Sequence, residues 1–449
     1  MKPYYQEFLS SKAQSGSTYG FNHAIMPSFL FDFQELLIKW ALKKGRAGIF
    51  ADCGLGKTPM QLVWADNVIQ KENKPVLILA PLAVSSQTVR EGEKFSIECH
   101  RSSQGKVCKG VNVTNYERLH YFNPSDFAGV VCDESSILKS FDGVRRNEIT
   151  EFMRTIPYRL LCTATAAPND YIELGTSSEA LGELGYTDML TRFFVNSQNS
   201  IKSGGFQNKG RDAWRFKGHA QESFWRWVSS WARAMRKPSD YGFNDGDFTL
   251  PPIEEKETVV KAVIPRPGML FDVSAIGLRE EHEVRRRTLN ERCEAAASKV
   301  INTNQPAAIW CHLNDEGNAL VSMIPGSKQI SGADSDESKE EKFEAFRTGQ
   351  LRVLIIKPKI GAFGLNWQHC AHVVYFPSDS YEQYYQAVRR CWRFGQTKPV
   401  VVDIIRTEGQ DRMFKNLVYK AKAADGMFTS LVSFMNRSLT IDTGREFKK

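Results

Sequence analysis

The chain has 449 residues, 24% of them charged and 42% hydrophobic, which is typical of a globular protein with two or three domains. It holds no apolar run long enough to span a bilayer, and its first residues lack the apolar core of a signal peptide. Nine scattered cysteines without Cys-x-x-Cys spacing indicate free thiols. We therefore expect a protein that neither spans a membrane nor is stapled by disulfides, with a cytoplasmic location and no membrane partner. The net charge of +8 is compatible with a polyanionic partner.

Short apolar runs alternate with helical patterns in the first part of the chain. Continuous apolar runs are typical of strands buried on both faces, and therefore of a parallel sheet with crossover helices. The predicted strands are AGIFAD (47–52), PVLILAP (75–81), GVNVTNY (110–116), GVVCDE (129–134) and YRLLCTAT (158–165).

The alternation stops near residue 185 and resumes after a long charged helix predicted over residues 279–301. The second set of predicted strands is AAIWCHL (307–313), KQISG (328–332), RVLIIKP (352–358), HVVYFPS (372–378) and PVVVDIIRT (399–407). We therefore predict an α/β protein with two lobes. The predicted divisions are an N-terminal segment 1–30, a first lobe 31–189, a basic aromatic insert and linker 190–254, and a second lobe 255–449.

The stretch ADCGLGKT (51–58) lies between a predicted strand and a predicted helix. Gly54 and Gly56 would let the backbone turn so that its N–H groups and the helix N-terminus face a phosphate. Lys57 would then place a cation at the β- and γ-phosphates, and Thr58 a hydroxyl at Mg²⁺. Taken alone, the stretch is also compatible with a glycine turn that carries a chance lysine.

The stretch GVVCDE delivers two carboxylates from the end of a buried strand. Asp133 could hold Mg²⁺, and Glu134 could polarise a water for attack on a phosphate. An Asp-Glu pair after a strand is also a common helix start. Both motifs together, in this order, favour a lobe that binds ATP and Mg²⁺ and hydrolyses the ATP.

Several stretches of the first lobe resemble the ordered motifs of superfamily-two helicases. The match to motif I includes Ala51, which the generic phosphate-loop pattern would not allow. Gln34 would read adenine in the resemblance to the upstream glutamine motif. The stretches are DFQELLIKWAL (32–42, glutamine motif), ADCGLGKT (51–58, motif I), LILAPLAVSSQTVREGEKF (77–95, motif Ia), TNYERL (114–119, tyrosine motif), DESSILKS (133–140, motif II) and TATAAPNDYIELG (163–175, motif III).

The second lobe is similar to the Swi/Snf-type branch of that superfamily. GAFGLNWQHCAHVVYF (361–376) resembles motif V, and YYQAVRRCWRFGQ (384–396) resembles motif VI with its Arg-x-x-Arg-x-Gly-Gln ending. The stretch 232–252 resembles the linker of this group. The resemblance assigns γ-phosphate contact to Arg390 and Arg393, and further nucleotide contacts to Gly364, Asn366 and Gln386.

Three positions depart from the family pattern. Ser135 and Ser136 stand where Ala-His is frequent, and Arg389 stands where an acid is common. The resemblance as a whole implies two RecA-like lobes, ATP and Mg²⁺ as cofactors, and an ATP hydrolase that moves along DNA. Duplex DNA is the expected track. The compact size resembles helicases carried by phages and prophages.

The insert interleaves basic and aromatic residues, a composition that suits nucleic acid. The candidate phosphate contacts are Lys209, Arg211, Arg215, Lys217 and Arg226. Helical spacing places Phe224, Trp227, Val228 and Trp231 on one face, and we interpret these four as packing residues. His312, a lone histidine after a strand, is interpreted as a structural hydrogen-bonding residue.

Three alternative functions stay open at this point. A strand-separating DNA or RNA helicase would need a wedge, and no extra domain that could supply one is evident. A catalytically inactive DNA-binding scaffold would not need Lys57, Glu134 or the paired arginines. A nucleotide kinase would not need the second α/β lobe.

Overall fold

A computed structural model describes residues 18–102, 104–139, 143–167, 170–196, 214–261, 278–361 and 366–443. These residues form two compact lobes. Lobe 1 is drawn from Met1–Asn244 and Ala424–Lys449, and lobe 2 from Asp245–Ala423. Each lobe is built on a parallel sheet, which confirms the predicted α/β class with two RecA-like lobes. Across the described ranges, no helix combines the length and the apolar character needed to cross a membrane.

The sheet of lobe 1 has seven strands in the order β3-β4-β2-β5-β6-β1-β9, and all neighbouring pairs are parallel. The central strands are almost wholly buried because they consist of continuous aliphatic residues covered on both faces. The strands are β1 Arg46–Ala51, β2 Val76–Ala80, β3 Cys99–Arg101, β4 Val111–Asn115, β5 Gly129–Asp133, β6 Tyr158–Cys162 and β9 Ala232–Met235.

Helices connect these strands and cover the sheet. The first of them begins after Phe31, whose backbone N–H is accepted by the side chain of Gln34, and it ends at Gly45 with a φ of 77°. The α-helices among the described residues of this part of the chain are α1 Asp32–Lys44, α2 Lys57–Glu72, α3 Leu82–Lys94, α4 Val144–Arg154, α5 Glu173–Leu181, α6 Tyr186–Phe193 and α7 Ala220–Trp231.

Part of the region predicted as a separate insert belongs to lobe 1. Strand β9 pairs with β1 in parallel, with Ile49 opposite Arg233, and so forms an edge of the sheet. The preceding helix α7 buries its aromatic residues in the core of the same lobe. The predicted boundaries at 189 and 254 therefore differ from the division observed at Asn244 and Asp245. The boundaries differ because the aromatic residues of α7 are buried against the core of lobe 1, which makes this segment part of that lobe.

A short antiparallel hairpin, β7 (Phe194–Asn196) with β8 (Trp214–Phe216), lies beside this helix. Phe194 stacks on Phe216 with ring centroids 4.6 Å apart, and both rings contact Phe224 of α7. The hairpin is thereby fixed to the core through its aromatic side chains.

The last helix, α14 (Asp411–Thr443), begins in lobe 2 and ends in lobe 1. Its later part places Met427, Phe428, Leu431, Val432 and Met435 in the core cluster of lobe 1. At the sheet edge the Ala234 N–H donates to Met435 Sδ at 2.9 Å, and Arg236 donates to Asp425. The helix therefore covers the edge strand β9.

Lobe 2 contains a six-stranded parallel sheet in the order β10-β15-β14-β11-β13-β12. Its strands are β10 Ile253–Val260, β11 Ala307–Trp310, β12 Lys328–Ile330, β13 Val353–Ile356, β14 His372–Tyr375 and β15 Val400–Thr407. Its helices before α14 are α8 Leu278–Arg287, α9 Leu289–Ile301, α10 Asn314–Met323, α11 Asp336–Arg347, α12 Pro358–Gly361 and α13 Tyr381–Arg389.

The prediction of a single helix over 279–301 is wrong in one respect. The structure has two helices there, α8 and α9, which are separated at Thr288. The Thr288 hydroxyl donates to the Val284 carbonyl at 2.7 Å. Such a bond back to the preceding turn competes with the helical ladder. Charge periodicity alone did not reveal this break.

The packing of α14 on lobe 1 predicts that Leu431→Ala destabilises that lobe by about 2–5 kcal/mol, since it deletes a side chain that is 1% exposed. Denaturant unfolding followed by tryptophan fluorescence measures the change, and hydrogen exchange at Ala232–Met235 should accelerate. Thr429→Ala, at an exposed position of the same helix, is the control. Equal stability of the two variants would contradict the packing role.

Candidate active site

The glycine-rich loop of lobe 1 joins the end of β1 to the start of α2. Gly54 has a φ of 92° and Gly56 a φ of 75°, both in the left-handed region that favours glycine. Helix α2 begins at Lys57 directly after this turn. The observed strand, turn and helix are the context that a phosphate loop requires.

Lys57 and Thr58 occupy the first turn of α2 and are both partly exposed. The Lys57 Nζ donates to the carbonyl oxygens of Ala51 at 3.0 Å and Asp52 at 3.3 Å. The ammonium group thus lies over its own loop, where neutral carbonyls satisfy it. A phosphate at this position would offer it charged acceptors, which form stronger bonds.

Gln34 lies next to the same loop and is 4% exposed. Its Nε2 donates to the Leu55 carbonyl at 3.0 Å, and its Oε1 accepts the Phe31 N–H at 3.1 Å. An amide has a second N–H and a second acceptor site, so both ends keep one further hydrogen bond for a ligand. Gln34 therefore supports the loop, and its reading of adenine stays a prediction.

Asp133 ends β5 and is bound to α2. Its Oδ1 accepts the Gln61 Nε2–H at 2.7 Å, and Gln61 is wholly buried. Burial and the neighbouring Glu134 raise the pKa of Asp133 to about 6, while Gln61 and Lys57 act in the opposite direction. The Gln61 bond places this carboxylate beside the helix that begins at Lys57, directly after the glycine-rich loop.

Glu134 adopts a left-handed backbone conformation with a φ of 53°, which is uncommon for a residue other than glycine. Glu134 Oε2 and Ser135 Oγ are buried and accept or donate no hydrogen bond among the described residues. Glu134 Oε2 could accept a hydrogen bond from a water, and the Ser135 hydroxyl could donate one to a phosphate oxygen.

The residues of this edge fit a magnesium–nucleotide complex. Mg²⁺ is usually held by one or two protein oxygens together with phosphates and waters, and Thr58 and Asp133 offer a hydroxyl and a carboxylate. Within the part of the chain that the structure describes, no group of three or more His, Cys, Asp or Glu could form a cage that binds metal alone. Thr58 and Asp133 thus offer two protein oxygens, a number that fits Mg²⁺ whose remaining ligands are phosphates and waters.

In lobe 2, the motif VI residues follow α13. Arg390 is 2% exposed, and its Nε donates to the Gln386 carbonyl at 3.1 Å. Both side-chain amide atoms of Gln386 are buried without a hydrogen-bond partner among the described residues, and the same holds for Asn366 Oδ1. Arg393 is half-buried, and its carbonyl accepts the Gln396 N–H. Gly364 lies outside the described residues.

The Gly-Gln ending of motif VI has a structural role. Gln396 Nε2 donates to the carbonyl oxygens of Cys370 at 3.0 Å and Cys391 at 3.1 Å. The first belongs to motif V and the second to motif VI, so one buried amide holds the two motifs together. Gly395 permits this close turn with a φ of 86°.

Arg389, the departure from the family pattern, lies between two aromatic rings. Its guanidinium carbon is 4.4 Å from the Trp392 ring centroid and 5.2 Å from that of Tyr385. The Trp392 indole N–H also donates to the Pro251 carbonyl at 2.7 Å. The start of lobe 2 is thus fastened to motif VI beside Arg389.

The five basic residues predicted to contact nucleic-acid phosphates do not form one cluster among the described residues. Lys209 and Arg211 lie outside the described residues. Arg215 is exposed on β8, Lys217 donates to the Thr191 carbonyl at 2.5 Å, and Arg226 pairs with Glu222 at 3.1 Å on an exposed helix face. The interpretation of Phe224, Trp227, Val228 and Trp231 as packing residues is confirmed, since each is at most 5% exposed.

Sequence reasoning missed the two buried residues that contact Asp133. Gln61 lies three residues after Thr58 on α2, and this helical spacing places both on one side. The hydroxyl of Tyr116 donates to the Asp133 carbonyl, and Tyr116 follows directly after β4. Tyr116 lies within the stretch that resembles the tyrosine motif, but no spacing rule connects it to Asp133.

Comparison with known proteins agrees with this geometry. Residues 304–395, within lobe 2, match the helicase conserved C-terminal domain. Protein p41 of Acyrthosiphon pisum secondary endosymbiont phage 1 is 28% identical over 168 residues, which are 32% of this chain and 36% of that protein. The chain thus matches about a third of the length of that relative.

The S. cerevisiae protein Dbp5 bound to RNA and ADP BeF3 has a similar fold. The likeness covers 90% of this chain and 94% of that chain, with a TM-score of 0.57 and 13% sequence identity. The likeness to that structure concerns the fold of the chain, and the helicase domain match concerns residues 304–395 of lobe 2.

Gly56→Ala is predicted to weaken nucleotide binding, because a Cβ there would lie 2.3 Å from Gln34 Nε2. The left-handed φ of 75° adds about 1–2 kcal/mol of strain. The affinity for nucleotide should fall about tenfold for each 1.4 kcal/mol by which the strain destabilises the binding conformation of the loop. Titration with fluorescent ADP measures the effect. Gly242→Ala is the control, because its φ is 81° and nothing lies within 4 Å of the added carbon. Equal affinities of both variants would refute the role of the Gln34 contact.

Proposed function

We propose that the protein is an ATP-dependent DNA translocase of Swi/Snf type, which couples ATP hydrolysis to movement along duplex DNA. The hydrogen bond from Gln61 to Asp133 is the observation that carries the proposal. It joins the helix that begins with Lys57 to the turn that bears Asp133 and Glu134. The groups needed to bind phosphates, hold a metal and activate a water therefore share one edge of one sheet.

Each group of this edge has a distinct role in the proposal. Lys57 binds the β- and γ-phosphates, and Gln34 reads the adenine edge. Thr58 and Asp133 hold Mg²⁺, which when bound neutralises charge on the phosphate oxygens. Glu134 orients and deprotonates the attacking water.

The motif VI arginines complete the proposal from lobe 2. Charge builds on the γ-phosphoryl oxygens during transfer, and an arginine neutralises it. Arg390 and Arg393 take this role, and Gly364, Asn366 and Gln386 supply further nucleotide contacts. The unpartnered amide of Gln386 supports this, since a buried amide without a partner is costly unless a ligand satisfies it.

The choice of duplex DNA rests on motif VI. Its Gly-Gln ending resembles the Swi/Snf-type branch, and Gln396 gives that ending a physical function in this fold. The similarity to protein p41 supports a phage or prophage origin. A strand-separating helicase and an inactive DNA-binding scaffold remain the outcomes that the tests below distinguish.

The first test compares ATP hydrolysis with duplex DNA, single-stranded DNA, forks and RNA in parallel. Duplex DNA should stimulate most. Lys57→Ala should abolish hydrolysis because the phosphates lose their cation, and Glu134→Gln should bind ATP but stall turnover. Lys71→Ala, at an exposed position of the same helix, is the control. Stimulation by RNA alone would refute the DNA assignment, and normal turnover in Glu134→Gln would refute its role.

The second test separates turnover from DNA binding. Arg393→Ala should reduce DNA-stimulated turnover by roughly 10³–10⁵ and leave ATP and DNA binding intact. Changing Lys209, Arg211 and Arg215 together to Ala should weaken duplex binding and lower its logarithmic salt slope by about 2.7, since three fewer counterions are released. Basal hydrolysis should survive that triple change. Arg347→Ala, an exposed arginine paired with Glu344, is the control.

One combined result would show that the roles of Arg393 in turnover and of the three basic residues in DNA binding are assigned the wrong way round. It is a loss of DNA affinity in Arg393→Ala together with a loss of basal hydrolysis in the triple variant. Duplex titrations at several salt concentrations resolve the two cases.

A further inference from the structure

The turn after β5 is strained and needs support. Glu134 holds a left-handed conformation although it carries a side chain, and it is 6% exposed. Such a conformation persists only where the surrounding structure imposes it. Groups that contact the preceding residue, Asp133, can therefore hold the Glu134 backbone in this conformation.

Tyr116 contacts the backbone at this point. Its hydroxyl donates to the Asp133 carbonyl and lies 3.1 Å from Cys132 Sγ. The residue is 3% exposed, and its ring belongs to the core cluster of lobe 1. Because the ring is fixed by packing, the hydroxyl fixes the carbonyl that leads into the Glu134 turn.

Gln61 contacts the side chain of the same residue. Its Nε2 donates to Asp133 Oδ1 at 2.7 Å, and its own side chain is wholly buried. Hydrogen bonds of this kind orient a metal-binding carboxylate and fix which oxygen is available. The two contacts therefore act on different parts of Asp133.

We propose that Gln61 and Tyr116 are positioning residues with separate tasks at Asp133. Gln61 orients the carboxylate toward the metal, and Tyr116 fixes the backbone turn that aims Glu134 at the water. This inference rests on the proposed ATPase function. It implies that loss of Gln61 changes the dependence on Mg²⁺, whereas loss of the Tyr116 hydroxyl changes turnover at any Mg²⁺ concentration.

Two variants of the full chain test the division. Gln61→Met should raise the Mg²⁺ concentration for half-maximal binding of fluorescent ADP by about 10- to 100-fold. Saturating Mg²⁺ should restore most of its turnover. Gln61→His retains an N–H donor at similar reach and should recover most of the Mg²⁺ affinity. Gln70→Met, at an exposed position of the same helix, is the control.

Tyr116→Phe keeps the packed ring and removes only the hydroxyl. It should lower kcat by about tenfold, the factor that one lost hydrogen bond of about 1.4 kcal/mol gives. The KM for ATP and the Mg²⁺ midpoint should not change. Hydrogen exchange across residues 129–139 should accelerate in this variant and not in Gln61→Met. Tyr121→Phe, which is 55% exposed in the same turn, is the control.

The outcomes distinguish this inference from the proposed function. If both variants shift the Mg²⁺ midpoint alike, or if Tyr116→Phe leaves kcat and exchange unchanged, the division of tasks is refuted. A wild-type chain that binds Mg·ADP but hydrolyses no ATP would refute the proposed function alone. The binding and exchange measurements would still decide the inference in that case, because they need no turnover.

Discussion

Every strand of the lobe 1 sheet runs in the same direction, and this constraint determines where its polar residues can gather. In a parallel sheet the carboxyl ends of all strands lie at one edge. The loop after β1 and the turn after β5 meet there, and only β6 lies between the two strands. Helix α2 leaves the loop after β1 and packs against β5, and from there the side chain of Gln61 reaches Asp133. The sheet order thus makes one buried amide the link between the phosphate loop and the acidic pair.

Two buried polar networks differ in how fully their hydrogen-bonding groups are satisfied. In lobe 2, Arg292 and Glu316 form an almost fully buried ion pair at 2.7 Å, and Glu316 also accepts the His312 and Leu313 N–H groups. His312 contacts the Phe376 carbonyl, and burial lowers its pKa to about 4, so it is neutral at pH 7. This agrees with its interpretation as a structural residue.

The acidic turn of lobe 1 is different. Asp133 is bound on one side, and Glu134 and Ser135 retain buried atoms without partners among the residues that the structure describes. A buried polar atom without a partner costs about 1–3 kcal/mol, so a fold keeps it only where something else satisfies it. The network around Glu316 is thus more fully satisfied than the turn at Glu134, whereas the Gln386 amide of lobe 2 also lacks a partner among the described residues.

The sequence predicted ten of the observed strands, because most of them are continuous apolar runs, and it missed β3, β7, β8 and β10. It also predicted the glycine turn and the carboxylates, since both depend on local residue order. It did not predict that Ala232–Met235 is a strand of lobe 1, because this four-residue edge carries an arginine and lacks a β-branched residue. The contacts of Met435 with Ala234 and of Tyr116 with Asp133 are equally hidden, since only the folded chain brings them together.

The path of the chain has a consequence for synthesis. Lobe 1 is made of two segments, and all of lobe 2 is translated between them. At about 5–20 residues per second, Phe434 and Met435 of α14 emerge roughly 10–40 s after Trp225 of α7 and the edge strand β9, which they contact. During this time the nascent protein exposes an apolar surface beside an unpaired strand edge, which is the combination that chaperones bind and that aggregates form from. The N-terminal lobe of this protein is therefore the last to be completed.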